Sequence, residues 1–490
     1  MSKPSLNRHL GLLGLIATGV CSMLGASIYI VPFMIQRHAP GIGPYVLYAF
    51  AAAAFPAFLA ALAYSFLSTV MPRAGGSYIF ASRGLQPYLG FIASFSQWFG
   101  LSLVIGVVAY VTIPFLRDIA GLLQWGTIEI GLEKGFVRTF LALTMIWVFV
   151  WINVRGLKSY EKTIIPLMFL MFLLGSIVII AGWYFDQQIF AETLLSKTGK
   201  ILAPNPGHSF DLKVFLSGSS LLFASFIGFD SIAQAGGEAK NPSRNLPLAI
   251  ILTIVIVGSF YMLFTAAVYH TVPWHYISSE AQNKDLTAPG LFSHMLPPGF
   301  TIIILAGAAV ALINDLPAML LSVSRLMYAW AEDGIFPGYI TKIHHQYQTP
   351  YRAIIISGFI ASIGVLGCQI AGNFFLGIDI MVMSMMVNFL LMCITLIAID
   401  CINPKLSNKF TIGKSKGTRY FIGWAGTLVL LLFLTIHCWK DLSTDTEVWF
   451  FRSTPIWLIV MSAATVIYFY KMSQLKKSGI DIKKHFNDLP

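Results

Sequence analysis

The stretch SFIGFDSIAQAGGEAKNPSRNLP, residues 225–247, closes an apolar run that begins near Val214. A helix that crosses a bilayer is apolar throughout, since its surroundings offer no water to polar groups. This one carries Gly228, Asp230 and the pair Gly236 and Gly237, then Glu238 and a basic, proline-bearing exit. A carboxylate at a helix centre costs about 2.5–3.5 kcal/mol on insertion scales. The stretch therefore reads as a membrane span that is broken, and the break needs a reason.

The rest of the chain supports a membrane setting. Of 490 residues, 57% are hydrophobic and 11% charged, with mean hydropathy +0.74, against about 25% charged residues in soluble domains. Apolar stretches near the roughly 20 residues that a span needs occur at about 12–35, 43–70, 88–116, 136–153, 163–184, 213–236, 246–270, 300–328, 353–371, 374–399, 420–438 and 450–470. They predict twelve membrane helices, numbered spans 1 to 12 here. The first reads as a retained span, because it is long and lacks a small-residue cleavage pattern. With the N-terminus inside, roughly two thirds of the 32 lysines and arginines fall in the tails and in loops on that same side. The bias predicts a multi-pass cell-membrane protein with both termini cytoplasmic. It also explains the net charge of +11 without a nucleic-acid partner. The five cysteines form no CxxC pair and read as small buried hydrophobes.

A second break matches the first. Span 1 holds Gly25, Ala26 and Ser27 in its middle, five spans before the break at Phe226, Ile227, Gly228, Phe229 and Asp230. Five is odd, so the second copy is inverted, and corresponding interrupted spans in two inverted halves point to a transporter's midplane site. A broken helix offers amides at one end and carbonyls at the other. A zwitterion satisfies both. Glycine for close helix packing is the competing explanation of either patch alone. The paired placement favours a site.

Five motifs carry a resemblance. Residues 17–32 read ATGVCSMLGASIYIVP, 72–85 read PRAGGSYIFASRGL, 153–162 read NVRGLKSYEK, 228–250 read GFDSIAQAGGEAKNPSRNLPLAI, and 324–337 with 349–354 read SRLMYAWAEDGIFP and TPYRAI. In this order they resemble the amino acid–polyamine–organocation transporter family. The resemblance implies an all-α membrane protein with a leucine-transporter-like 5+5 inverted repeat. Its core would occupy 1–400, with repeats at about 12–184 and 213–399, followed at 401–490 by two peripheral spans and a basic tail. It also implies that a substrate carboxylate meets the backbone amides of Gly25, Ala26 and Ser27. The ammonium would meet carbonyls of Met23, Ala224 and Ile227. Ala224 stands where arginine antiporters of the family have a tryptophan, which disfavours guanidinium stacking. Ser27 replaces a glycine and Asp230 a glutamate. Met171 stands where some proton-coupled members carry a lysine, so that device is missing.

Four residues are gating or coupling candidates. Asp230 either titrates near the substrate or holds the unwound segment by a structural hydrogen bond. Asp315 lies near mid-depth in span 8, two residues before Pro317, which frees the carbonyl of Ile313 from its usual partner. An acid beside a freed carbonyl suits a proton or a sodium ion, unless Asn314 and Asp315 merely stabilise a kink. Phe226 or Phe229 could close the outer path, against the alternative of core packing. Glu238, Lys240, Arg244, Arg73, Arg83, Arg325, Glu332 and Asp333 read either as an inner-face charge network or as solvated surface.

The expectation is a secondary transporter that moves an amino acid, neutral or apolar for want of charges in the pocket, by alternating access. An amine, polyamine or acidic amino acid exchanger is one alternative. A receptor or channel on the same fold is another. With no Walker phosphate loop, metal cluster or nucleophile triad in the sequence, neither an enzyme nor a metal or cofactor is implied.

Overall fold

A computed structural model describes residues 6, 8–25, 27–283, 286–371, 375–443 and 452–489. Among these, twelve helices are long and apolar enough to cross a membrane. They are Leu12–His38, Gly43–Val70, Pro87–Leu122, Gly135–Val154, Leu157–Tyr184, Leu212–Gln234, Pro242–Thr271, Gly299–Glu332, Tyr351–Ile370, Leu376–Ile402, Lys416–Ser443 and Ser453–Lys477. The protein is an all-α, multi-pass membrane protein. Its only β pairing among the described residues is two isolated bridges, Leu10 with Ala239 and Ala74 with Ala235.

Some ends differ from the hydropathy pattern, for local reasons. Span 7 starts at Pro242, four residues before the apolar run, because proline is pre-organised for the first helical position. Span 5 starts at Leu157, just after Gly156 turns the chain with φ +101°. The segment after span 2 folds as a nine-residue helix, Gly76–Gly84, every residue of which is buried. Spans 3 and 8 run 36 and 34 residues, well past the bilayer thickness. The loops after spans 5 and 7 hold helices of their own, Gln187–Thr198 and Trp274–Asn283.

Two groups of helices surround the broken spans. Span 7 packs on spans 1 and 2, and span 6 on span 2. Opposite them, span 8 packs on span 3, and span 4 on spans 3 and 9. Span 1 touches both groups, through span 7 and through span 8. Span 11 packs against spans 10, 2 and 6, and span 12 against spans 10 and 3. In hydrocarbon, such packing rests on van der Waals fit and on polar contacts between helices, because lipid gives no hydrophobic drive.

Candidate functional site

Both predicted breaks exist and touch each other. The first half of span 1, Leu12–Met23, ends with Leu24 off the helical path at ψ 66°, and the helix resumes as Ser27–His38. Span 6 runs as Leu212–Leu222, tightens to a 3₁₀ turn at Phe223–Phe226, and goes extended at Ile227 (φ −81°, ψ 133°). Gly228 follows at φ +134°, a conformation that needs glycine. The helix restarts when Ser231 N donates to Gly228 O at 3.0 Å. A Cβ on Gly228 would strike the main chain of Ser22. Ser22 Oγ and Ser231 Oγ add a hydrogen bond of 2.9 Å. From span 7, the Tyr261 hydroxyl hydrogen-bonds Ser27 Oγ and donates to Met23 O at 3.5 Å, so one side chain holds both edges of the first break.

At this junction lies a cavity of about 150 Å³, below the roughly 300–1,000 Å³ of drug-sized ligand pockets. A cavity of this size admits only a small molecule. Met23, Gly25, Ser27, Ala224 and Ile227 line it, so five of the six residues expected to bind substrate come together. The sixth, Ala26, lies outside the described residues. The remaining wall is mostly apolar, from Val104, Val107, Val108 and Val111 of span 3 to Ile378 and Met381 of span 10. The valines follow an i, i+3, i+4, i+7 pattern, which the sequence shows but which reads equally as core.

Of the four gating or coupling candidates, only Asp315 reaches the cavity. It is 5% exposed, and its Oδ1 is buried without a hydrogen-bond partner. A Cβ added to Gly25 would collide with its carboxylate. Phe226 packs edge-on against Phe50, and Phe229 stacks on Phe389 with ring centroids 4.9 Å apart. Neither ring lines the cavity. Asp230 is fully buried away from it. One carboxylate oxygen accepts from Gly228 N at 3.2 Å and the other from Gln97 Nε2. Gln97 is itself a hub, accepting from Ser77 at 2.5 Å, Gln234 at 3.2 Å and Asn388 at 3.2 Å. This network ties span 6 to spans 3 and 10, and nothing in the run of residues around Gln97 announced it.

The basic face holds two buried ion pairs. Arg325 grips Glu238 with two donors, at 2.7 and 2.9 Å, and Arg83 grips Asp333 likewise at 2.5 and 2.8 Å. All four side chains are at most 1% exposed. Tyr78 donates to Asp333 at 2.5 Å. The N-terminal segment seals one pair, with His9 N and Leu10 N donating to Glu238 O. The C-terminal segment covers the other, with the Phe486 ring 5.0 Å from the Arg83 guanidinium and Asp488 O accepting from Arg83 Nε at 3.3 Å. Arg73, Lys240, Arg244 and Glu332 stay exposed, so the charged motif splits into two buried ion pairs and a solvated rim. Among the described residues, no cluster of three or more His, Cys, Asp or Glu is placed to hold a metal ion.

A family model described as "Amino acid permease" matches residues 10–463. Human "Cationic amino acid transporter 4" is 26% identical over 374 residues, covering 73% of this chain and 55% of that protein. "Branched-chain amino acid permease BcaP" of Bacillus subtilis is 22% identical over 369 residues, covering 73% and 74%. "Low-affinity putrescine importer PlaP" of Escherichia coli is 25% identical over 423 residues, covering 85% and 84%. The chain spans a little over half the length of the cationic amino acid transporters it matches.

Proposed function

The chain belongs to the amino acid permease family, and on that premise we propose that it is a secondary transporter moving an amino acid across the cell membrane by alternating access. The observation that carries this reading is the meeting of the two helix breaks at one small cavity. Broken helices are tolerated in hydrocarbon only where their freed groups line a cavity or bind something. Amides at Gly25 and Ser27 suit a carboxylate, and carbonyls at Met23, Ala224 and Ile227 suit an ammonium. The valine and methionine walls favour an apolar side chain on the substrate.

The two helix groups supply the moving parts. Spans 1, 2, 6 and 7 would rock against spans 3, 4, 8 and 9, with spans 11 and 12 as peripheral elements beside a core over 1–400. Both termini would lie in the cytoplasm, as the lysine and arginine bias suggests. The Arg325–Glu238 and Arg83–Asp333 pairs would then be the inner latch, which opens when the site faces inward. Asp230 would act as a brace for the break in span 6, and Asp315 as the group that couples binding to an ion.

A second reading has its own support. The unpartnered carboxylate of Asp315 in an apolar cavity also suits an amine or polyamine without a carboxylate. Melting of the purified protein, measured with amino acids and with amines, separates the two. Stabilisation by leucine or valine supports the first, and by putrescine alone the second. A sensing receptor on this fold would bind and show no flux in proteoliposomes.

A further inference from the structure

Resting on the reading of the cavity as an amino acid site, we propose that Asp315 is the proton-coupling residue: a substrate carboxylate enters the break of span 1 only when Asp315 is protonated, so one proton travels with each substrate.

The geometry forces a choice on this side chain. Its carboxylate lies so close to Gly25 that a single added methyl group has no room. The amides offered to a substrate carboxylate belong to the same turn, at Gly25 and Ser27. An ionised Asp315 would therefore place a second negative charge beside the first. The walls there are valine, isoleucine, leucine and methionine, and no cationic side chain among the described residues lines the cavity to offset two charges. Like charges that close in a low-dielectric site are not both kept ionised. Protonation reverses the sign of the interaction: the new O–H becomes a donor to the substrate carboxylate, and a buried oxygen that lacks a partner gains one.

The surroundings leave Asp315 as the group that must take the proton. The titratable groups that face it are the Cys21 thiol of span 1 and the Tyr261 hydroxyl of span 7. Tyr261 is occupied with Ser27 and Met23. Span 3 presents valines, and span 10 presents Ile378 and Met381. From span 5, Met171 meets the neighbouring Asn314, with its sulfur 3.9 Å from Nδ2, so no cation approaches from that side among the described residues. The step balances simply. A proton from the outer aqueous phase adds to an Asp315 oxygen as the substrate binds, no other bond is made or broken, and the proton leaves to the inner aqueous phase with the substrate.

The test uses the full-length protein and L-leucine over the pH range where leucine stays a zwitterion. Above the ionisation of Asp315, wild-type affinity is expected to fall about tenfold per pH unit, with one proton taken up per leucine in weakly buffered solution. Asp315→Asn is expected to bind leucine with no pH dependence and to lose accumulation driven by a pH gradient. The proton-uptake measurement needs only the wild type, so a poorly folding variant does not block the test. A pH-independent wild-type affinity, binding without proton uptake, a sodium requirement, or an Asp315→Asn variant that retains the wild-type pH slope overturns the proposal. Putrescine binding that strengthens with rising pH, with no leucine binding, also overturns it, because Asp315 would then act as a fixed counter-ion. If no amino acid or amine shifts the melting of the wild type, the transport reading itself fails.

Discussion

Gly228 lies against the main chain of Ser22 so closely that the break in span 6 and the break in span 1 form one packed unit. Gly228 also sits at φ +134°, where a Cβ is strained whatever the space. Gly228→Ala is therefore expected to destabilise the protein by at least about 1–3 kcal/mol and to abolish uptake. Gly258→Ala in span 7 is the matched control. The nearest atom to its added methyl, on Phe226, is 3.5 Å away, an ordinary contact. Melting of the two variants side by side checks this, and equal effects would separate the breaks.

Asp230 is a brace in this account, so its variants should separate stability from transport. Asp230→Ala leaves the amide of Gly228 and one donor of Gln97 without a buried partner. A loss of about 1–3 kcal/mol is expected. Asp230→Asn keeps an acceptor oxygen and should lose less. Uptake by Asp230→Asn should retain the wild-type pH profile, unlike that of Asp315→Asn. A flattened profile in Asp230→Asn would make it a titrating group instead.

The Arg325–Glu238 pair is buried, with two hydrogen bonds between the partners. Removing one partner strands a buried charge, at about 3–5 kcal/mol. Glu238→Gln and Arg325→Met should each lower melting sharply, and the double variant less than their sum. The singles should also expose cavity residues to a thiol reagent from the basic face, read on a cysteine placed at Ser22. Additive losses and unchanged labelling would mean that the pair does not close this face.

The cavity is small enough that one ring fills it. Ala224→Phe places a ring in about 150 Å³ already walled by valines. It is expected to leave melting without ligand near the wild-type value and to remove all stabilisation by ligand. Retained ligand stabilisation in Ala224→Phe would place the site elsewhere.

Membrane class, span number and the two breaks were legible because each rests on a one-dimensional signal: hydropathy, or glycine inside an apolar run. That Met23, Gly25, Ser27, Ala224 and Ile227 meet at one cavity was legible through motif order, since these positions follow the breaks and not the side chains. The side chains were less so. Asp230 and Asp315 look alike in sequence, as lone acids in apolar helices. Only the fold shows that Gln97, more than a hundred residues away, claims the first, while the second faces Gly25 unpaired. Likewise the charged motif gave no sign that Glu238 would be buried and Lys240 exposed. That depends on the docking of His9 and Leu10 from the far end of the chain.

Counterflow tests transport itself. Proteoliposomes loaded with unlabelled leucine and diluted into a trace of labelled leucine should accumulate label transiently, and Ala224→Phe proteoliposomes should not. Binding of leucine by the wild-type protein with no counterflow would contradict transport and leave a receptor.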